Sequence, residues 1–285
     1  MGPNGTVLDA ASSADGMATL APSEFEVALG KLVTPWLPTE RERNIPVIAC
    51  GMVGARGGWI EAAYIEIPAC PPDGVVATEA PVNTLPVSMH ILPGMCQREP
   101  ADVMRGEETQ LAGLLAHTPD YDGIVCLPGT HTKWVRVADG KILNFKTFMT
   151  GELFALLSEK SVLRLSMDSD ALCMTSFDEG VALALEQPER VMAELFSLRA
   201  ASLLDDLPAQ GAKGRLSGLL IGLEIAATRE LRSRHRITIV GAEASSGLYE
   251  RAITTQGNCG DRVNSDDLVI AGLNAAYVRF LGSYS

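Results

Sequence analysis

Residues 127–135 read Leu-Pro-Gly-Thr-His-Thr-Lys-Trp-Val, and this stretch decides the fold of the second half of the chain. An apolar strand at 124–127 runs into it, and a second strand leaves it at 133–137. The pair Asp139-Gly140 is a turn signal, and a third strand follows at 141–148. The order of apolar runs and turn residues therefore predicts three successive antiparallel strands, with a helix after them.

The loop inside the first predicted hairpin has the composition of an anion-binding loop. Gly129 allows close approach to the backbone, and Thr130 and Thr132 offer hydroxyl groups. A phosphate loop is one interpretation, and an ordinary tight hairpin is the other. His131 taken alone is more often a packing or hydrogen-bonding residue than a catalyst.

A second candidate site is Arg105-Gly-Glu-Glu108, at the start of a predicted helix. A carboxylate there, from Glu107 or Glu108, suits a general base that deprotonates an alcohol. Arg105 suits bidentate binding of a substrate carboxylate. In the alternative interpretation, the two acids only favour the positive end of the helix.

A third candidate follows a short apolar strand at 45–50. An indole face can cover a sugar ring, and an arginine can bind a carboxylate or a hydroxyl. The segment could instead be a glycine-rich turn with a structural tryptophan. The residues proposed for this sugar-sized pocket wall are Gly51, Met52, Gly54, Arg56 and Trp59.

The last candidate lies near the C-terminus, where Gly218 and Gly222 share one face of a predicted helix. Gly241 ends the strand predicted at 237–241. Such surfaces can accept a flat nucleoside, and they can equally be sites of close helix packing. The chain carries neither a Walker loop nor a Rossmann fingerprint.

Length and composition limit the class of protein. The 285 residues are enough for two domains, and the best boundary is the polar segment 118–123. A net charge of −12 argues against binding to nucleic acid or to an acidic membrane surface. No apolar run is long enough to span a bilayer, and no signal peptide is evident. The six cysteines show no Cys-x-x-Cys spacing, which favours buried thiols in a reducing cytoplasm.

The remaining predicted elements alternate along the chain. They are strands at 6–10, 45–50, 87–92 and 237–241, and helices at 23–33, 111–116, 151–160, 171–186, 190–204, 215–234, 248–256 and 266–281.

Taken together, these segments resemble the 2-dehydro-3-deoxygalactonokinase family of the actin/hexokinase-like ATPase superfamily. Five segments carry the likeness in the family's order: 49–59, 104–110, 127–134, 148–153 and 216–222. The resemblance implies an α/β fold with two ribonuclease-H-like domains that close over a cleft. It assigns residues 1–118 to a sugar-acid-binding domain and residues 119–285 to a nucleotide-binding domain.

The resemblance also implies ATP-dependent phosphorylation of the 6-hydroxyl of 2-dehydro-3-deoxy-D-galactonate, a step of D-galactonate breakdown. Mg²⁺ would accompany the nucleotide, with protein ligands that the sequence leaves unknown. Glu107, or less favourably Glu108, would be the base, while Arg105 and the 51–59 segment orient the sugar acid. The loop at 129–132 would hold the β- and γ-phosphates, and the three glycines near the C-terminus would flank the adenosine. The preference between galactonate- and gluconate-derived acids stays open, and a homodimer is plausible.

One element of the family pattern is missing. Members begin with a strand and an Asp-x-Gly-Thr/Ser-type loop, which contacts the phosphates and helps to hold Mg²⁺. Here the turn Pro3-Asn4-Gly5 and the strand predicted at 6–10 fall where that element should end. A truncated N-terminus is our hypothesis, and it would lower activity and expose a sheet edge. Two alternative functions stay open: an exopolyphosphatase-like phosphohydrolase, which has the same fold and a Gly-Glu-Glu helix start, and a catalytically impaired binding protein, which the missing loop favours.

Overall fold

The computed structural model describes residues 1–2, 5–37, 44–232, 234–255, 257 and 260–282. Pro3 and Asn4 of the predicted turn, Gln256 at the end of a predicted helix, and Cys259 lie outside these residues. Within them the chain forms eleven strands and nine α-helices, joined by loops and short 3₁₀ turns. This mixture confirms the predicted α/β class.

Runs of strands and runs of helices follow one another along the described chain. Up to residue 121 they are α1 (Phe25–Val33), β1 (Ile45–Ala49), β2 (Tyr64–Glu66), β3 (Thr78–Ala80), β4 (Val87–Ile91), β5 (Gly94–Gln97), β6 (Asp102–Met104) and α2 (Glu107–His117). After it come β7 (Gly123–Leu127), β8 (Thr132–Ala138), β9 (Lys141–Phe148), α3 (Thr150–Ala155), α4 (Met174–Glu186), α5 (Val191–Leu204), α6 (Ala209–Ala227), α7 (Arg229–Arg232), β10 (Ile237–Val240), α8 (Glu243–Thr254), β11 (Gly260–Val263) and α9 (Ser265–Gly282). A π-helical segment, Leu156–Lys160, continues α3.

The largest sheet contains the three strands predicted around residues 127–135. Its strand order is β11-β10-β7-β8-β9, and β10 runs parallel to both β7 and β11. The links at 128–131 and 139–140 are far shorter than a parallel crossover needs, so β7, β8 and β9 form antiparallel hairpins. Asp139 and Gly140 have φ values of 50° and 69°, which suits the tight second turn. The predicted three-stranded unit is therefore present.

Two smaller sheets precede it, with strand orders β1-β4-β3 and β2-β5-β6. The parallel pair β1 and β4 was predicted as two strands, whereas β2, β3, β5 and β6 were not. These four strands have only three or four residues each, too few for a readable alternation of apolar and polar side chains. The hairpin of β5 and β6 leads the chain into the start of α2.

Two other predictions were wrong. Residues 6–10 form no strand, and no strand of the described chain pairs with them. The region instead makes side-chain contacts, including a 2.7 Å hydrogen bond from the Trp36 indole N–H to Asp9. The thiols are also less buried than predicted: Cys126 is buried, but Cys70 is exposed. An apolar neighbourhood in the sequence does not guarantee burial when the segment is a surface loop.

The chain divides into two compact units. Unit 1 comprises Met1–Tyr121, Val137–Asn144 and Ser265–Ser285, and unit 2 comprises Asp122–Arg136 and Phe145–Asn264. In unit 1, α2 and α9 touch through their backbones: a Cβ at Gly113 would lie 2.0 Å from the carbonyl oxygen of Leu268. In unit 2, the apolar core lies between the large sheet and the helices α4, α6 and α8. No helix of the described chain is both long and apolar enough to cross a membrane.

Candidate functional site

In unit 1, the candidate site is built around the start of α2. Gly106 adopts φ 110°, a conformation that favours glycine, and it turns the chain from β6 into the helix. The Arg105 backbone N–H donates a 3.1 Å hydrogen bond to Oε2 of Glu107. The Gly106 N–H donates to both carboxylate oxygens of Glu108, at 2.8 and 2.7 Å. Both acids therefore fold back and satisfy N–H groups at the helix start.

The two acids differ in their access to a ligand. Glu108 is 0% exposed, and its burial raises the pKa of the carboxyl group to about 7. Glu107 is only half-buried. Of the two predicted candidates for the base, Glu107 is therefore the one whose carboxylate a substrate can reach.

Arg105 lies beside these acids with unused hydrogen-bonding capacity. Its Nη2 donates a 2.8 Å hydrogen bond to the carbonyl oxygen of Ala62, and its guanidinium carbon lies 4.3 Å from the ring centroid of Tyr64. Its Nε and Nη1 are buried and have no hydrogen-bond partner in the described chain. Buried donors without a partner are rare, and an arginine of this kind is suited to an anionic ligand.

The 51–59 turn lies next to this arginine. A Cβ at Gly54 would lie 3.1 Å from Nη1 of Arg105, and a Cβ at Gly106 would lie 3.5 Å from the Gly51 Cα. The structure therefore brings two of the predicted pocket glycines to the start of α2.

The side chains of the same turn have different surroundings. Trp59 stacks on Phe25 at a centroid distance of 6.2 Å, in a small apolar cluster. The Arg56 side chain is 90% exposed and lies 3.4 Å from the Glu61 carboxylate, and Met52 is exposed. For Trp59 the geometry favours the structural alternative, because the ring is used in packing.

In unit 2, the loop between β7 and β8 is anchored but open. The Glu152 backbone N–H donates a 2.9 Å hydrogen bond to the Thr130 carbonyl, and Nε2 of His131 lies 2.5 Å from the Glu152 carboxylate. Gly129, Thr130 and His131 are all exposed, and a Cβ at Gly129 would meet no atom within 4 Å. The loop is held in place while its outer side stays free for a ligand.

Thr132 does not belong to that outer side. It is 0% exposed, and its hydroxyl oxygen lies 2.9 Å from the Tyr249 hydroxyl oxygen. The prediction that Thr132 offers its hydroxyl to a phosphate disagrees with this geometry. Its side chain points into the core of unit 2, where the contact with Tyr249 fixes the end of the loop.

A cavity of about 220 Å³ opens beside the loop, within unit 2. Its lining is mainly apolar, with a few hydroxyl groups and the two glycines that face each other at Gly129 and Gly151. The lining residues are Pro128, Gly129, Thr150, Gly151, Phe154, Leu172, Ser217, Leu220, Ile221, Ser245, Leu248 and Tyr249.

The predicted glycines near the C-terminus fall into two groups. A Cβ at Gly218 would lie 2.1 Å from the Phe177 carbonyl oxygen, and one at Gly222 would lie 2.8 Å from the Ala184 Cβ. Both glycines therefore serve the close crossing of α4 and α6, which is the packing alternative. Gly241 instead lies beside the loop, since its Cβ position is 3.5 Å from Pro128.

Comparison with known proteins decides the family. A family model described as 2-keto-3-deoxy-galactonokinase matches residues 1–276.

The chain belongs to the 2-keto-3-deoxy-galactonokinase family.

Similar proteins extend this match over nearly the whole chain. A probable 2-dehydro-3-deoxygalactonokinase of Rhizobium meliloti (strain 1021) is 41% identical over 283 residues, 97% of this chain and 91% of the relative. The 2-dehydro-3-deoxygalactonokinase of Escherichia coli (strain K12) is 32% identical over 271 residues, 94% and 89% of the two chains. Membership of this galactonokinase family makes the protein a sugar-acid kinase, and kinases of this type use ATP.

A solved structure supports the fold. The crystal structure of a putative 2-dehydro-3-deoxygalactonokinase from Sinorhizobium meliloti matches with a TM-score of 0.89 and 40% identity. It covers 98% of this chain and 93% of its own. The chain therefore shares the fold of that structure, in agreement with the predicted α/β class.

Two residues that sequence reasoning missed complete the site. Tyr64 supports the Arg105 guanidinium from a three-residue strand that the sequence does not reveal. Glu224 is 2% exposed and accepts hydrogen bonds from the Trp134 indole N–H at 2.6 Å and the Tyr249 hydroxyl at 2.8 Å. The Thr150 hydroxyl donates to the same carboxylate. The available signal for Glu224 was a single charged residue inside the apolar stretch 216–227.

No group of three or more His, Cys, Asp or Glu side chains in the described residues could hold a metal ion. The cavity and the open loop have the chemistry of a site for an adenosine with its phosphates, because an apolar wall suits a base and exposed glycine backbone suits phosphate oxygens.

Proposed function

We propose that this family member transfers the γ-phosphoryl group of ATP to the 6-hydroxyl of 2-dehydro-3-deoxy-D-galactonate, in the breakdown of D-galactonate. The observation that carries this proposal is Arg105: its Nε and Nη1 are buried and have no hydrogen-bond partner among the described residues, and its backbone N–H donates to the half-buried Glu107 carboxylate. A sugar acid offers one group to each: a carboxylate for the arginine and a hydroxyl for the base. The names of the two relatives support the choice of substrate.

Unit 1 would bind the sugar acid. Nε and Nη1 of Arg105 would receive the substrate carboxylate, and Tyr64 would keep the guanidinium plane in place. Gly51 would leave room for the sugar acid chain, since a Cβ there would meet no atom within 4 Å, whereas Gly54 would let the 51–59 turn pack closely against Ile91 and Arg105.

Glu107 would accept the proton of the 6-hydroxyl as the phosphorus–oxygen bond forms. Phosphoryl transfer needs little covalent help from the protein, so positioning and charge neutralisation supply most of the catalysis. Glu108, which no substrate can reach, would fix the backbone at Gly106 and thereby the direction of the helix start.

Unit 2 would bind the nucleotide. The base and ribose would occupy the apolar cavity, and the phosphates would lie against Gly129, Thr130 and His131, with Gly241 alongside. Mg²⁺ would neutralise phosphate charge, and it usually binds through phosphate oxygens, water and one or two carboxylates. We assign it no protein ligand. In this proposal the sequence-based division at residue 118/119 separates the two binding functions along most of the chain.

The proposal also includes the location of the protein in the cell and its oligomeric state. The enzyme has a net charge of −12 and acts on a small molecule, and we place it in the cytoplasm. It would form a homodimer, because α5 exposes a row of apolar side chains, including Met192 at 77% and Phe196 at 66%. Light scattering on the purified protein measures the mass directly, and a monomer at micromolar concentration would contradict the dimer.

The experiment for the activity is ADP release in a coupled assay with Mg²⁺ and ATP. The acceptors are 2-dehydro-3-deoxy-D-galactonate, its gluconate-derived epimer, or none. We expect ADP only with an acceptor, a preference for the galactonate-derived acid, and a product whose phosphorus couples to the C6 protons in an NMR spectrum. ADP release that ignores the acceptor would indicate a phosphohydrolase. ATP binding without any ADP release would indicate a binding protein.

A further inference from the structure

The Glu224 carboxylate joins four elements of unit 2 near the β7–β8 loop and the cavity. It lies on α6, and its three donors come from β8 (Trp134), α3 (Thr150) and α8 (Tyr249). Since the Tyr249 hydroxyl gives its proton to Glu224, the Thr132 hydroxyl donates in turn to Tyr249. The Glu224 carboxylate thus holds the beginning of β8 in two ways: directly through Trp134, and through Tyr249 to Thr132.

The same carboxylate fixes two residues of the cavity wall. Thr150 and Tyr249 both line the cavity, and both are at least nine-tenths buried. Trp134 and Thr132, in contrast, lie on the strand that leaves the exposed loop. The contacts of Glu224 therefore reach both halves of the proposed nucleotide site, although Glu224 itself is absent from the cavity lining.

Removal of one partner from this cluster is costly because the others cannot reach water. Every member is buried, and a buried donor that loses its acceptor loses its hydrogen bond without replacement. The three donors also constrain the carboxylate in one orientation. A change at Glu224 would therefore release the strand after the loop and the cavity wall together.

We propose that Glu224 is a positioning residue for the nucleotide, holding the cavity wall at Thr150 and Tyr249 in register with the strand that carries the phosphate loop. The proposal rests on the proposed binding of ATP in unit 2. It assigns Glu224 no contact with the nucleotide and no proton transfer in the reaction.

The ionisation of the Glu224 carboxyl group should make the positioning effect depend on pH. An ionised carboxylate accepts all three hydrogen bonds, whereas a protonated one must itself donate and reverses one of them. Burial raises the pKa of Glu224 to about 7. Burial also raises the pKa of Tyr249 and of Cys126 on β7 well above their ordinary values, so both stay neutral between pH 6 and 8.

The charged neighbour of the cluster does not titrate in the same pH range as Glu224. Arg232 on α7 stacks over the Trp134 ring at 5.9 Å, and burial and the nearby Arg229 lower the pKa of its guanidinium. Because the ordinary pKa of arginine is so high, Arg232 remains charged throughout this range. Within the cluster, Glu224 is therefore the group that changes charge near neutral pH.

The test is the Kd for Mg-ATP, measured by calorimetry on the full chain at pH 6, 7 and 8. The variants are Glu224→Gln, which imitates the protonated form, and Tyr249→Phe, which removes one donor. Ile253→Val is the control, since it trims the same core cluster without touching a hydrogen bond. The KM for the sugar acid and the melting temperature are measured alongside.

We expect both cluster variants to raise the Kd about tenfold at pH 8, the size of one lost buried hydrogen bond, with the sugar-acid KM within twofold. The ratio of the Kd of Glu224→Gln to that of the wild type should shrink towards one at pH 6, and this ratio cancels the titration of ATP itself. Ile253→Val should lower the melting temperature and leave the Kd within twofold.

A Kd within twofold of the wild type in both cluster variants at pH 8 would overturn the proposal. So would an equal loss in the sugar-acid KM. If one variant fails to fold, the other decides. If both fail while Ile253→Val folds, the cluster serves the fold itself and the proposal is wrong.

The outcome is separable from that of the proposed function. A wild-type protein that binds ATP but phosphorylates no sugar acid would contradict the function, and the Kd comparison would still decide the role of Glu224. A wild-type protein that does not bind ATP would contradict both.

Discussion

The carboxylate of Glu107 accepts the backbone N–H of Arg105, with 3.1 Å between the nitrogen and Oε2. The proposed base is therefore tied to the residue that is proposed to hold the substrate carboxylate. This hydrogen bond fixes one oxygen of the half-buried Glu107 carboxylate. The next residue, Glu108, is buried, and its carboxylate accepts the Gly106 N–H.

The first prediction concerns Glu107. Glu107→Gln should lower kcat by about 10²- to 10⁴-fold, the usual contribution of a general base, and leave the sugar-acid KM within about threefold. Glu108→Gln is the matched control, because its side chain is 0% exposed, and its kcat should fall less than tenfold. Steady-state kinetics with saturating ATP measure both. Near-normal turnover in Glu107→Gln would show that another group takes the proton.

The second prediction concerns Arg105. Arg105→Lys keeps the charge but loses the planar fork, so the sugar-acid KM should rise about 10- to 100-fold, as expected for lost hydrogen bonds to a charged group. The KM for ATP should change less than twofold. Arg98→Lys is the control, since its side chain is 76% exposed and pairs with Glu66 at the surface. An unchanged sugar-acid KM in Arg105→Lys would contradict the carboxylate site.

The third prediction contrasts two glycines of unit 2. Gly129→Ala should leave the melting temperature nearly unchanged, because its Cβ would meet no atom within 4 Å, and it should raise the KM for ATP. Gly218→Ala should lower the free energy of unfolding by about 1–3 kcal/mol, because its Cβ would overlap the Phe177 carbonyl oxygen at 2.1 Å. Thermal melts and ATP kinetics on both variants provide the measurement. A lower melting temperature in Gly129→Ala together with a raised KM for ATP in Gly218→Ala would contradict the prediction. It would mean that Gly129 serves packing and that Gly218 serves nucleotide binding.

The fourth prediction concerns pH and stability. Burial raises the pKa of Glu108 to about 7, so the folded state holds a proton that the unfolded chain has already lost at the same pH. The free energy of unfolding from this group should therefore fall by about 1.4 kcal/mol per pH unit as pH rises between the unfolded pKa and 7, and level off above it.

Urea unfolding of the wild type and Glu108→Gln at pH 5.5, 6.5 and 7.5 measures this slope by difference. The difference removes other titrating groups, such as His90, whose pKa burial lowers and whose effect has the opposite sign. A wild-type protein that gains stability with pH relative to Glu108→Gln would contradict the prediction.

Local signals in the sequence predict much of this fold. The three strands β7, β8 and β9 follow from apolar runs and from Asp139-Gly140, a turn pair that adopts positive φ as such turns require. Gly51, Gly54 and Arg105 belong to two of the motifs singled out in the sequence, and they meet because the glycine turn after β1 lies beside the helix start after β6.

Other features depend on contacts that no local pattern encodes. Gly218 and Gly222 have the same sequence signature whether they face a nucleoside or a helix, and only the position of α4 decides between them. Glu224 looks like a charged interruption of an apolar helix until Trp134 and Tyr249 are brought to it from other elements. Tyr64 lies on a strand of three residues, too short for its alternation to be read.

The contact between Gly113 and the Leu268 carbonyl also has a consequence for biosynthesis. The helix that carries Glu107 packs against α9, which is synthesised after all of unit 2. Chains under synthesis can therefore assemble unit 2 while the Glu107 helix still lacks its packing surface. The helix that carries the proposed base would therefore gain this packing surface only after unit 2 has been synthesised.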